Sequence, residues 1–213
     1  MTTKHRSGHS ASSSTRGVFG GGFDGSDRSN VIEHLTISTL GNSKDFGDLT
    51  QKGMNGGGGQ VNSQIRGVYA GGATPGAKVN VIQFITIATT GNAIDFGDLN
   101  QLRGSVAQAS NATIGLVGGG ASPTYFKSLD KITIPTLGNA VDYGDLVEVV
   151  GSHGAGASPT RILFAGGYSP AGPTKVDVIQ YKQFASGGDT LDFGNLLNAC
   201  ALPHPVTNGH GGL

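Results

Sequence analysis

Asp-Phe-Gly is the triplet whose carboxylate holds magnesium in protein-kinase sites. The chain carries it at Asp45-Phe46-Gly47, Asp95-Phe96-Gly97 and Asp192-Phe193-Gly194, with a tyrosine version at Asp142-Tyr143-Gly144. That chemistry needs partners the sequence lacks. There is no His-Arg-Asp loop, and the runs Gly56-Gly57-Gly58-Gly59 and Gly118-Gly119-Gly120 lack the Gly-Lys-Ser/Thr of a phosphate loop. A catalytic carboxylate is used once, so a motif present in every repeat reads as structural. The aromatic then packs between repeats, and the aspartates cap a turn through side-chain hydrogen bonds. A second reading places the repeated carboxylates in a ring around a cation. Calcium takes roughly six to eight oxygens, so Asp side chains alone would need help from carbonyls or water.

The other reactive residues assemble no site. The histidines are His5, His9, His34, His153, His204 and His210. His9 and His204 hold matching repeat positions, but Gly59, Ala107 and Gly154 stand there elsewhere, so no metal ring is expected. Cys200 is the single cysteine, so the fold does not depend on a disulfide or an oxidising compartment. There is no Gly-x-Ser-x-Gly elbow and no signal of a Cys-His pair. Asn111-Ala112-Thr113 matches a glycosylation acceptor, but the start Met1-Thr2-Thr3-Lys4-His5-Arg6 shows no secretory leader, so the match reads as chance. No catalytic residue, metal ligand or cofactor is assigned, and the chain is expected not to be an enzyme.

Composition narrows the partners. Charged residues are 13% of the chain and the formal net charge is zero, which leaves no electrostatic footprint for DNA or RNA. No apolar run reaches the roughly 18 residues a membrane span needs, so no membrane insertion is expected. Glycine, at 38 of 213 residues, is more than twice as frequent as the usual ~7%. It has no collagen period and stands beside Val, Ile and Phe, which points to turns and bulges.

The elements that carry these residues form a repeat. The motif Asp-Phe-Gly-Asp-Leu at 45–49 and 95–99 has close copies at 142–146 and 192–196, and its aromatics are spaced by 50, 47 and 50 residues. A period in this range marks a propeller or solenoid. Each unit holds four short segments. The first is weakly patterned, at 7–13, 57–63, 104–110 and 151–157. The second is apolar and ends in glycine, as in Arg66-Gly67-Val68-Tyr69-Ala70-Gly71-Gly72. The third covers 31–39, 81–89, 129–136 and 176–184, and the fourth holds the motif. In Val81-Ile82-Gln83-Phe84-Ile85-Thr86-Ile87 both strand faces are apolar, so both must be covered. A blade between two neighbouring blades meets that demand. The glycines after the second strand suit blades converging near an axis.

The expected fold is therefore all-β: a β-propeller of four four-stranded blades, or half of a larger propeller completed by a second chain. The chain reads as a single repeat domain over 1–213, with blades near 1–49, 50–99, 100–146 and 147–196. Residues 197–213 form a closing or docking segment that begins another unit. Phe46, Phe96, Tyr143 and Phe193 are expected to be buried at equivalent places.

The segments His5-Arg6-Ser7-Gly8-His9-Ser10 and Val18-Phe19-Gly20-Gly21-Gly22 resemble a kelch repeat, except that Phe or Tyr replaces the usual strand-four Trp. A narrower resemblance rests on Ser14-Thr15-Arg16-Gly17-Val18-Phe19-Gly20-Gly21-Gly22, Ile85-Thr86-Ile87-Ala88-Thr89-Thr90-Gly91-Asn92-Ala93, the Asp-Phe-Gly-Asp-Leu motif and the ending Asn208-Gly209-His210-Gly211-Gly212-Leu213. These resemble the kelch-like repeat proteins of tailed bacteriophages, cyanophages especially. The resemblance implies a tail- or capsid-associated virion protein, made in the host cytoplasm. Its implied partners are other virion proteins, further copies of itself and a host-surface glycan.

Candidate binding residues come from the loops between second and third strands, at 23–30, 73–80, 121–128 and 168–175. Their length reads as constant while their content varies: Phe23, Asp24, Asp27 and Arg28; Tyr125, Phe126 and Lys127; Tyr168 and Lys175. Variable loops on a rigid scaffold are a common way to build a binding face. The following loop is nearly invariant, at Leu40-Gly41-Asn42, Thr90-Gly91-Asn92, Leu137-Gly138-Asn139 and Ser186-Gly187-Gly188. The competing readings are a polysaccharide-active enzyme and a purely structural module that binds other subunits.

Overall fold

The computed structural model describes residues 6–53, 59–170, 174–205 and 207. The strands form four antiparallel four-stranded sheets, each a simple meander. The first holds β1 (His9–Ser12), β2 (Arg16–Gly20), β3 (Val31–Thr36) and β4 (Lys44–Asp48), and the second β5 (Val61–Asn62), β6 (Arg66–Ala73), β7 (Lys78–Thr86) and β8 (Ile94–Asp98). The third holds β9 (Ala107–Ser110), β10 (Ile114–Gly118), β11 (Ser128–Thr133) and β12 (Val141–Asp145), and the fourth β13 (Gly154–Ala157), β14 (Arg161–Ala165), β15 (Val178–Gln183) and β16 (Leu191–Asn195). Among the described residues there is no helix, hence none long and apolar enough to cross a membrane.

The two-faced strands are covered on both sides, as their sequence requires. In β7 and its extension, Ile82 and Phe84 are buried on one face, and Gln83, Ile85 and Ile87 on the other. The core is accordingly divided into three layers. One joins Val18, Ile32 and Phe46 to Tyr69, Ile85 and Ile87. The next joins Val68, Ile82 and Phe96 to Val117, Ile132 and Ile134. The last joins Leu116, Leu129 and Leu146 to Ile162, Phe164 and Phe184. Each sheet thus packs on the next in chain order, and each layer mixes residues about one repeat apart.

The repeated motif is the joint between successive sheets. The Gly91 and Gly138 N–H groups donate to the carbonyls of Phe46 and Phe96, at 2.7 and 2.8 Å. The Asp48 and Asp98 N–H groups donate to the side-chain oxygens of Asn92 and Asn139, and Asp145 N–H to that of Asp189. Ala93, Ala140 and Thr190 N–H donate back to the carbonyls of Asp48, Asp98 and Asp145, each at 2.8 Å. The Gly-Asn turn of one unit, Gly188-Asp189 in the fourth, therefore sits on the Gly-Asp step of the unit before it. Gly97 shows why glycine is needed: its φ is +147°, and an added Cβ would lie 2.5 Å from the Gly138 carbonyl. The expected side-chain capping is local, with Asp142 and Asp192 accepting from Gly144 and Gly194 N–H. The second Asp of the motif acts at this joint through its backbone, and Asp145 also pairs its carboxylate with Lys127.

Two expectations need correction. Phe46 and Phe96 are buried and Tyr143 is half-buried, but Phe193 is 51% exposed, because no further Gly-Asn turn covers the last motif. The third strands also start elsewhere. Ile32, Ile82, Leu129 and Ile179 stand opposite Gly20, Ala70, Gly118 and Ala165, so the preceding loops run 23–30, 73–80, 121–127 and 168–177. The third loop is shorter and the fourth longer, so their length is not constant. The glycines after the second strand also receive a linker: Gly22, Gly72, Gly120 and Gly167 N–H donate to the carbonyls of Gly53, Arg103, Val150 and Cys200.

The C-terminal stretch begins another unit. Ser7, Ser105, Ser152 and Leu202 share a positive φ near 55–58°. Leu202 N–H donates to Ser152, as Ser152 N–H does to Ser105. Thr207 exchanges hydrogen bonds with the backbone of Ala157, as Ser110 does with Asn62. The proposed second-strand position of Gly212, the Gly56–Gly58 run and the centre of the fourth loop, 171–173, lie outside the described residues.

Candidate functional site

The candidate loops close β2–β3-type hairpins, and the hairpins extend past the sheets. Isolated bridges join Phe23 to Arg28, Ala121 to Tyr125 and Tyr168 to Lys175, and the second loop continues the ladder from Ala73 to Lys78. A third partner comes from the linker: Arg6 pairs with Phe23, Gly104 with Ala121 and Gly151 with Tyr168. The loop bases are thus three-stranded and held by backbone bonds, which gives the side chains a firm mount.

Part of the side-chain chemistry is already used inside the molecule. Asp24 accepts from Ser26 N–H, Ser26 Oγ and Asp27 N–H, closing its own turn. Asp27 pairs with Lys52 at 2.6 Å, and that hydrogen bond, with one from Arg28 N–H, holds its carboxyl below the usual range. Lys127 pairs with Asp145 at 3.0 Å, which raises the lysine. Tyr125 lies over the Gly151 backbone, where a Cβ would come within 2.6 Å of its ring. The Arg6 guanidinium sits 5.1 Å over the Phe23 ring.

What remains outward is modest. Asp24, Asp27, Lys127 and Lys175 are exposed, while Phe23, Arg28, Tyr125, Phe126 and Tyr168 are half-buried. The structure brings Arg28 toward Lys78 of the next loop, and burial first, then this nearby charge, lower the lysine. Concavities of about 420 and 410 Å³ lie away from these loops, the first against Leu163, Ile179 and Phe193 and the second around Ile65, Arg66 and Ile134. Among the described residues no group of three or more His, Cys, Asp or Glu is placed to hold a metal ion.

Sequence reasoning missed the buried polar residues of the linkers. Arg103 is fully buried, pairs with Asp130 at 2.9 Å and donates to the carbonyls of Gly119 and Ser128. Burial lowers its pKa and Asp130 opposes that shift. Asp130 also accepts from Asn100 N–H and Nδ2. Arg103 occupies the linker position held elsewhere by Gly53, Val150 and Cys200, so its departure from the repeat was the available signal. His9 and His153 are buried beside Tyr69 and Phe164, and burial lowers them to about 4 and about 3. Both stay neutral in the folded chain at pH 7.

No protein-family model and no curated protein matches the chain.

Proposed function

We propose that the chain is a non-enzymatic structural and adhesion component of a bacteriophage particle, with the loops at 23–30, 121–127 and 168–177 facing a host-surface glycan. The four sheets are read as kelch-like propeller blades. The assignment to a particle rests on the repeat resemblance alone. The adhesive role rests on one observation: half-exposed aromatics and exposed charges are mounted together on backbone-anchored hairpins. A platform of this kind suits a sugar, whose apolar face lies on an aromatic ring while its hydroxyls meet charged groups. Tyr and Phe supply contact area at low entropic cost.

Binding of the purified protein to host-surface glycans, with product analysis for cleavage, tests the reading. Binding without cleavage is expected. Tyr168→Ser together with Lys175→Ala should abolish it at unchanged melting temperature, since neither side chain serves the core clusters. Cleavage of the glycan, or binding indifferent to these changes, would overturn it.

A further inference from the structure

Among the described residues, the joint that links successive sheets is made three times and left open on the outer faces of the first and fourth sheets. On the side of a sheet facing the next one, Val18, Val68 and Leu116 are fully buried, while Leu163 at the same register is only half-buried. Ile32, Ile82 and Leu129 are likewise buried, and Ile179 is not. With Phe193 these residues line the 420 Å³ groove on the outer face of the fourth sheet. Gly194 has nothing within 4 Å of an added Cβ, where Gly97 meets the following turn.

The first sheet shows the converse face. Tyr69, Val117 and Phe164 are buried against the preceding sheet, and Phe19 in their place is half-exposed. Ile87, Ile134 and Phe184 are at most 2% exposed, whereas Ile37 is 56% exposed. The Gly41-Asn42 turn is open, although its counterparts Gly91-Asn92 and Gly138-Asn139 each seat on a motif. Gln83 and Gln180 accept from the backbone of Thr50 and Val147 in the preceding linker; Glu33 holds that position in the first sheet, and Leu197 is the fully exposed linker residue at the far end.

We propose that the outer face of the fourth sheet receives the first sheet of a second copy of this chain, head to tail. The joint reproduces the three inside the chain. Leu40-Gly41-Asn42 seats on Phe193-Gly194-Asn195, and Ile37 covers the end of the Leu163–Ile179 groove. Arg161 reaches the Ile37 carbonyl, as Arg16 and Arg66 reach those of Ile87 and Ile134. The contact is heterologous, because the two surfaces differ. Thr207 competes with it. Thr207 holds the place on Ala157 that Ser110 holds on Asn62, which is where β1 of the incoming copy must lie. Docking therefore displaces Thr207.

Sedimentation velocity over a concentration series tests this with the full chain. Self-association is expected, tightened by Thr207→Val and weakened at least about tenfold by Ile37→Asp or Phe193→Asp. Both aspartates replace exposed side chains, so melting temperatures should hold. Mixing the two aspartate variants should restore a two-chain species, since each keeps the surface the other lost. The proposal is overturned if wild type and Thr207→Val stay monomeric at every concentration. It is also overturned if association survives either aspartate, or if the mixture gives no pair.

Discussion

The joint between the second and third sheets and the bare face of the fourth are built from nearly the same sequence, yet they live in different solvents. Phe96 is 3% exposed, with Gly138 donating to its carbonyl, while Phe193 in the same motif is half in water. The second-to-third joint also holds Arg103 and Asp130, a charge pair with no counterpart on the fourth face. The lesson is that this motif has no fixed energetic value. It is a half-interface, and its burial is supplied by whatever unit follows.

Substitutions that break one side of the comparison should cost most. Arg103→Ala leaves Asp130 buried without its cation and several carbonyls without a donor, and should cost about 3–5 kcal/mol in urea unfolding. The pair Arg103→Met with Asp130→Leu should recover much of that loss, because both charges then leave the interior together. Phe96→Ala should cost about 3–5 kcal/mol, and Phe193→Ala no more than about 1 kcal/mol in the monomer. Equal costs at the two positions would show that the fourth face is covered in solution.

Next in size is acid sensitivity. His9 and His153 are neutral when folded, with pKa values of about 4 and about 3 against 6.5 for an exposed ring. Below pH 6.5 the unfolded chain binds protons that the folded chain refuses. Their contribution is complete above that pH and is lost as pH falls toward 4 and then 3, with a slope up to roughly 1.4 kcal/mol per pH unit for each ring. Unfolding midpoints measured from pH 7.5 to 4.5 should show this decline, and His153→Leu should reduce its slope. The smallest effect belongs to the loops: Asp27→Ala removes an ion pair whose two side chains are about half exposed, and should leave the melting temperature unchanged at physiological salt.

Much of the architecture was legible in the chain itself. The 50-residue period, the apolar residues on both faces of the third segments and the paired Gly-Asp and Gly-Asn motifs are local patterns. They announce all-β units that must be sandwiched. Strand ends were less legible: Lys127-Ser128-Leu129 reads equally well in either register, and only pairing opposite Gly118 decides it. The loop residues were identified by type, but their free chemistry was not. Lys127 meets Asp145, and Tyr125 meets Gly151, through neighbours not adjacent in the sequence.

By itself, then, the sequence determined what repeats: strand chemistry, turn chemistry and a two-faced demand for burial, because these depend on residues a few positions apart. The tertiary structure decided which copies have that demand met. Burial is a property of the neighbour as much as of the residue, so closely similar motifs at Phe96 and Phe193 become core and surface. It also decided that the Arg103 charge would be fully buried between two units, because only the packed joint brings Asp130 and the Gly119 and Ser128 carbonyls around its guanidinium.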